Sequence, residues 1–226
     1  MNRPRRVMVL LSAVMFLLGG IAACGRDPIS PRAAHATSSS PSLSRGSSGI
    51  SGSSSDDPYF LTPAPGAPSI LNPVIVFTVQ KGVDKVVKMY YQPRRPGDST
   101  VFAQFRVPQD GLASRPDGTP IANGESVQIT MTLIDADKGI IDFQPSGLRF
   151  STKHSATLKI SYRFADPDLN HDGVVDFRDT LLRQMLHMIC RETPNDPWTP
   201  IPSANNTDLD EVQAAILGFT GYAIEY

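Results

Sequence analysis

Two cysteines, one tryptophan and four histidines are all that 226 residues offer of the side chains most often recruited for redox, stacking and metal chemistry. No zinc-ligand spacing, Ser-His-Asp order or phosphate-cradling glycine loop is present, so no catalytic site is expected. His35 falls in a serine-rich stretch, and His154 and His187 fall in strand-like contexts. His171 occupies a loop position whose side chain usually points to solvent. None of the four is expected to ligate a metal or move a proton. The formal charge of -1 and the lack of a Lys/Arg cluster beyond the first six residues exclude nucleic acid as an expected partner.

What is present begins at the N-terminus. Arg3, Arg5 and Arg6 precede an uncharged run over residues 7–23, the order of the basic and apolar regions of a secretory signal peptide. A membrane span needs roughly 20 mostly apolar residues. This run is interrupted by Gly19 and Gly20 and ends in small residues at a cysteine, so export is the expected role. The tetrad Ile21-Ala22-Ala23-Cys24 resembles the lipobox of bacterial lipoproteins. The resemblance implies cleavage before Cys24, diacylation of its thiol and anchoring in a membrane, hence a cell-envelope location. Gly25 is not the aspartate that usually retains such proteins at the inner membrane, so an outer-membrane destination follows if the cell has one. Each buried methylene adds about 0.8 kcal/mol and durable anchoring takes two or more chains, a condition that several acyl groups on one cysteine meet.

Residues 24–57 are dominated by serine with Gly, Pro and Ala, a composition that cannot offset its ordering entropy by burial and reads as a disordered tether. Residues 58–226 are then expected to form one domain with its own core. With Cys24 acylated, no intramolecular disulfide is expected, and Cys190 on an apolar pattern reads as a small core residue.

Within 58–226, stretches rich in β-branched and aromatic residues alternate with Gly, Pro, Asn and Asp clusters. Strands are expected over 74–79, 85–91, 101–107, 126–134, 148–150, 156–164, 185–192, 198–201 and 212–226, the last broken near Gly218 and Gly221. Leu158, Ile160 and Tyr162 share one face of their strand, and Thr157, Lys159 and Ser161 the other. Many such strands without long helices between them imply an all-β fold, an antiparallel sandwich. Trp198 beside prolines is expected to plug a sandwich edge, a sugar site being the other use of such a residue.

Five motifs in order carry a further resemblance: Val107-Pro108-Gln109-Asp110-Gly111-Leu112, Phe143-Gln144-Pro145-Ser146-Gly147-Leu148-Arg149-Phe150, the run Thr157, Leu158, Ile160, Tyr162, then Trp198-Thr199-Pro200-Ile201-Pro202 and Gly218-Phe219-Thr220-Gly221-Tyr222-Ala223-Ile224. Together they are similar to the zona-occludens/Unc-five domain of ankyrins and netrin receptors and its bacterial relatives. The resemblance spans about residues 101–226 and implies a β-sandwich interaction module. A few relatives cleave their own chain in the closing motif. Here Thr220 replaces the serine nucleophile, but Gly218 stands where the activating histidine would be, so self-processing is not the expected role.

The most chemical segment is residues 168–179, Asp168-Leu169-Asn170-His171-Asp172-Gly173-Val174-Val175-Asp176-Phe177-Arg178-Asp179. Side-chain oxygens at positions one, three and five, glycine at six and a backbone carbonyl at seven match the start of a calcium loop. The expected ligands are Asp168, Asn170, Asp172, Val174, Asp176 and Asp179. Asp179 in the twelfth place resembles a dockerin repeat, but only one repeat is present. Crowded carboxylates repel one another unless a cation or protons intervene, which favours a structural calcium. An Asp/Asn/Gly turn held by its own side-chain hydrogen bonds is the other reading. At most a helical turn over 178–183 is expected afterwards, then a strand.

The sequence thus points to a lipid-anchored, non-catalytic interaction or adhesion module whose partner is an extracellular protein or glycan. The alternative is a lipid-anchored accessory of polysaccharide degradation.

Overall fold

The computed structural model describes residues 58–226. In chain order these form β1 (Val74–Gln80), β2 (Lys85–Tyr90), β3 (Val101–Val107), β4 (Leu112–Ser114), β5 (Ser126–Asp135), β6 (Ile140–Gln144) and β7 (Arg149–Phe150). Then come β8 (Ala156–Ser161), α1 (Phe177–Met185), β9 (His187–Arg191), β10 (Thr199–Pro200), β11 (Ser203–Asn206), β12 (Glu211–Ile216) and β13 (Gly221–Glu225).

Period-two alternation drives the longer strands, because successive side chains point to opposite faces. In β8 the residues Ala156, Leu158 and Ile160 are buried while Thr157, Lys159 and Ser161 are half-buried. In β5 the residues Val127, Ile129, Met131 and Leu133 face inward. The strands assemble into a six-stranded sheet in the order β1-β5-β6-β13-β9-β10 and a five-stranded sheet in the order β11-β12-β8-β3-β2, with β4 and β7 forming a small third pair. Every pairing between these strands is antiparallel.

The two main sheets share one core, as the expected sandwich requires. Phe105 on β3 has its ring centroid 4.8 Å from that of Phe143 on β6, across the sheets, and also touches Phe77, Phe150 and Phe219. Residues 58–91 belong to this body: β1 pairs with β5 along one sheet edge, and β2 pairs with β3 along the other.

Three differences from the expected strands have physical causes. The expected strand over 212–226 is two strands in different sheets, since β12 pairs with β8 and β13 with β9 and β6, and the chain crosses between layers at Gly218–Gly221. The expected strand over 185–192 starts at His187, because the capped helix α1 runs on to Met185. β6 and β9 are apolar on both faces, since a second small cluster of Ile140, Ile189 and Ala223, covered by Phe60 and Trp198, lies on the outer side of the larger sheet. Trp198 packs edge-on against Phe60 at 5.4 Å and lies under the Arg191 guanidinium at 4.5 Å, plugging the sheet as expected.

Candidate functional site

The loop 168–179 closes on itself through a consistent set of bonds. The Asp168 carboxylate accepts from the N–H of Gly173 at 2.8 Å and of Asp172 at 3.2 Å. Asn170 Oδ1 accepts from Asp172 N at 3.0 Å, and Asp172 Oδ1 from Val174 N at 2.9 Å. This path requires a left-handed backbone at two points, met by His171 at φ 55° and Gly173 at φ 85°. A residue lacking Cβ is favoured at the second.

Asp176 caps the helix, its side chain accepting from Arg178 N at 2.7 Å, and Asp179 reaches back to Asp176 N at 2.8 Å to complete a capping box. The other Asp179 oxygen accepts from Leu169 N at 2.8 Å and Asn170 N at 3.3 Å. Asp179 is only 3% exposed, yet its carboxyl is held below the ordinary value. The Asp176 N–H is the main cause, followed by those of Asn170 and Leu169, against the opposing effect of desolvation. Hydrogen bonds to the charged form favour that form.

All six expected ligand residues therefore lie in one loop, but their carboxylates point to backbone amides. Among the described residues no group of three or more His, Cys, Asp or Glu side chains is gathered to hold a metal ion. The Arg178 guanidinium stands 3.7 Å from Asp172 Oδ2, and Asn170 Nδ2 donates to the same oxygen at 3.0 Å. These donors already offset much of the crowding of charge. Donor type, donor order and the turn at Gly173 suit calcium, while the convergence of carboxylates that would close a cage is absent among the described residues.

Three participants were not legible in the sequence. Asp166 accepts from Asp168 N at 3.1 Å, Arg178 flanks Asp172, and the Tyr226 hydroxyl donates to the Leu169 carbonyl from 57 residues away. No local pattern announces a contact of that separation. Arg183 fastens the far end of α1, pairing with Asp210 and lying 5.5 Å over the Tyr162 ring, and Asn205 donates to its carbonyl at 2.6 Å.

Two concavities adjoin these elements. One, of about 220 Å³, lies beside the loop and is lined by Leu61, Tyr162, Asp176, Asp179, Arg183 and Asp210. The other, about 250 Å³ and mostly apolar, opens near Ile70, Tyr91, Phe102, Tyr162 and Phe164.

The remaining expectations divide by position. The signal peptide, Cys24 and the tether lie outside the described residues. Cys190 is fully buried on β9, as a core residue should be, and is not a free cysteine, so the expectation of no disulfide finds no support there. Thr220 is 3% exposed and its hydroxyl has no hydrogen-bond partner among the described residues. His171 is exposed, and His187 bonds Glu225 at 3.0 Å.

The fold and the loop together define an all-β antiparallel sandwich carrying a capped acidic loop. Against protein-family models, curated proteins and solved structures alike, the chain finds no match.

Proposed function

We propose that the chain is a lipoprotein: a non-catalytic interaction module anchored through lipid on Cys24 and tethered to it by the serine-rich segment up to residue 57. The observation that carries this reading is the order of Arg3, Arg5 and Arg6, the uncharged run 7–23 and Ile21-Ala22-Ala23-Cys24. The sandwich supports it by offering loops and concavities on a rigid frame, where recognition residues are commonly placed. The motifs similar to the zona-occludens/Unc-five domain point to the same use, that of an adhesion surface for an extracellular protein or glycan. A cell-envelope location, in the outer membrane of a diderm cell, is part of the proposal.

In this reading the acidic loop holds a structural calcium, through Asp168, Asn170, Asp172, the Val174 carbonyl, Asp176 and Asp179. The ion's chemistry would be to neutralise the loop and stiffen it. What supports this is oxygen donors in calcium-loop order with Gly173 at its positive φ. A second reading, an accessory of polysaccharide breakdown, draws on α1, a nine-residue helix where one turn was expected after a dockerin-like loop.

Two experiments test the pair of claims. Cells fed labelled palmitate should label the wild-type protein and not Cys24→Ser, and labelling of both would remove the anchor. Calorimetric titration of the purified chain with calcium should give saturable heat, lost in Asp172→Ala, and a raised melting temperature, since an ion that binds only the folded state stabilises it by mass action. No heat and no shift at millimolar calcium would leave the loop as a hydrogen-bonded turn.

A further inference from the structure

Helix α1 carries an exposed apolar stripe beside the side that it packs inward. Asp179 is its buried residue and Leu182 packs against the core, while Phe177, Leu181 and Met185 are 68%, 52% and 63% exposed. Their spacing of four places all three on one stripe. Val174 and Val175, 60% and 62% exposed, sit at the end of the acidic loop that leads into the helix. Lone exposed apolar residues need no explanation, but three on one helix stripe, with two more in the loop that leads into it, mark a contact surface.

The point where the tether joins the sandwich identifies the occupant. Tyr59 stacks on Tyr226 at 5.6 Å between ring centroids, and the Tyr226 hydroxyl donates to the Leu169 carbonyl in the acidic loop. Leu61 N donates to Ile224 O, and Leu61 lines the same concavity as Asp176 and Asp179. The chain from Cys24 therefore enters the sandwich at the end that carries the loop and α1. Only the residues from 24 to 57 separate the cysteine of the proposed anchor from this point of entry.

Resting on the lipid-anchor reading above, we propose that Phe177, Leu181, Met185, Val174 and Val175 dock into the headgroup region of the phospholipid bilayer that holds Cys24. Exposed Phe, Leu, Met and Val side chains on a short helix lie in the interface plane and bury one face shallowly there. Arg178, with its side chain 64% exposed, lies on the same helix and 3.7 Å from Asp172 Oδ2. Asp168, Asp172 and Asp176 disfavour a strongly anionic surface, so the fitting surface is zwitterionic, phosphatidylcholine or phosphatidylethanolamine in character. The tether makes the contact intramolecular in effect, so a weak interfacial affinity suffices to lay this end of the sandwich on the membrane and turn the opposite end outward.

The test uses the full chain with Phe177→Trp, processed in cells and reconstituted into phosphatidylcholine vesicles with and without brominated acyl chains. Trp198, packed against Phe60, serves as the internal reference in the wild type. The Phe177→Trp protein should show blue-shifted emission and at least a twofold loss of its added fluorescence on brominated vesicles. Wild type should show little change, and adding Leu181→Ser and Met185→Ser should abolish the quenching while leaving the circular dichroism unaltered. Palmitate incorporated without quenching overturns the docking and keeps the anchor. Quenching without palmitate keeps the docking and removes the anchor, and absence of both removes both. A blue shift without quenching that grows with protein concentration assigns the stripe to a second copy of the chain and overturns the proposal.

Discussion

The carboxylate of Asp179 and the backbone N–H of Leu169 lie 2.8 Å apart, joining the last residue of the acidic loop to its second. With the Asn170 and Asp176 amides on the same carboxylate, one buried side chain both closes the loop and caps α1. Asp179→Asn should leave at least one of these amides without its acceptor, lower the melting temperature and speed hydrogen exchange at Leu169 and Asp176. Exchange measured by NMR checks this, and unchanged protection at both amides would contradict it.

The same contact sets a pH dependence. The folded Asp179 carboxyl is held below its unfolded value, near 3.9 for an ordinary aspartate. Its stabilisation is therefore complete above that value and is lost as pH falls through the lower folded value. Melting temperatures of wild type and Asp179→Asn should differ at pH 6 and converge on acidification below about pH 4. A difference that widens in acid would show that the carboxyl is not held in its charged form.

Gly173 occupies a φ of +85° in open space, so a side chain there meets backbone strain and no neighbour. Gly173→Ala should cost roughly 1–2 kcal/mol, and Gly173→Asn less, because asparagine visits the left-handed region more readily. Equal losses in the two variants, measured by urea unfolding, would place the cost elsewhere.

Thr220 and Phe105 make a contrasting pair in the core. The Thr220 hydroxyl is buried with no partner among the described residues, so Thr220→Val should be neutral or stabilising by about 1–3 kcal/mol, with no change in the fragment pattern on gels. Phe105 is fully buried among four other phenylalanines, and Phe105→Ala should cost about 3–5 kcal/mol. A destabilised Thr220→Val would reveal a hydrogen bond to that hydroxyl.

The strands with one wet face were the plainest to read in the sequence. β3, β5 and β8 alternate because one side packs inward and the other meets solvent, so their period survives in the residue order. β6 was missed because Ile140, Ile141 and Phe143 are buried on both of its faces, leaving no alternation to read. β11, with the sequence Ser-Ala-Asn-Asn, is held by backbone pairing to β12 and carries no apolar signal. The acidic loop was legible as a set of positions, since Asp, Asn and Gly recur at turn spacing. The direction of its carboxylates was not, because their amide partners and the Tyr226 contact depend on the folded path. Met185 illustrates the limit at α1: placed in a strand by its apolar neighbours, it stands exposed at the end of a helix that its caps prolong.

The account rests most heavily on the sulfur of Cys24, for which acylation and a disulfide to the chain's other cysteine, Cys190, are mutually exclusive uses. Mass spectrometry of the N-terminal peptide from membrane-extracted protein, digested with and without reductant, distinguishes them. The account predicts a peptide that begins at Cys24 and carries diacylglyceryl mass whether or not reductant is present. A peptide without acyl mass, or one released from the Cys190 peptide only by reductant, would contradict it.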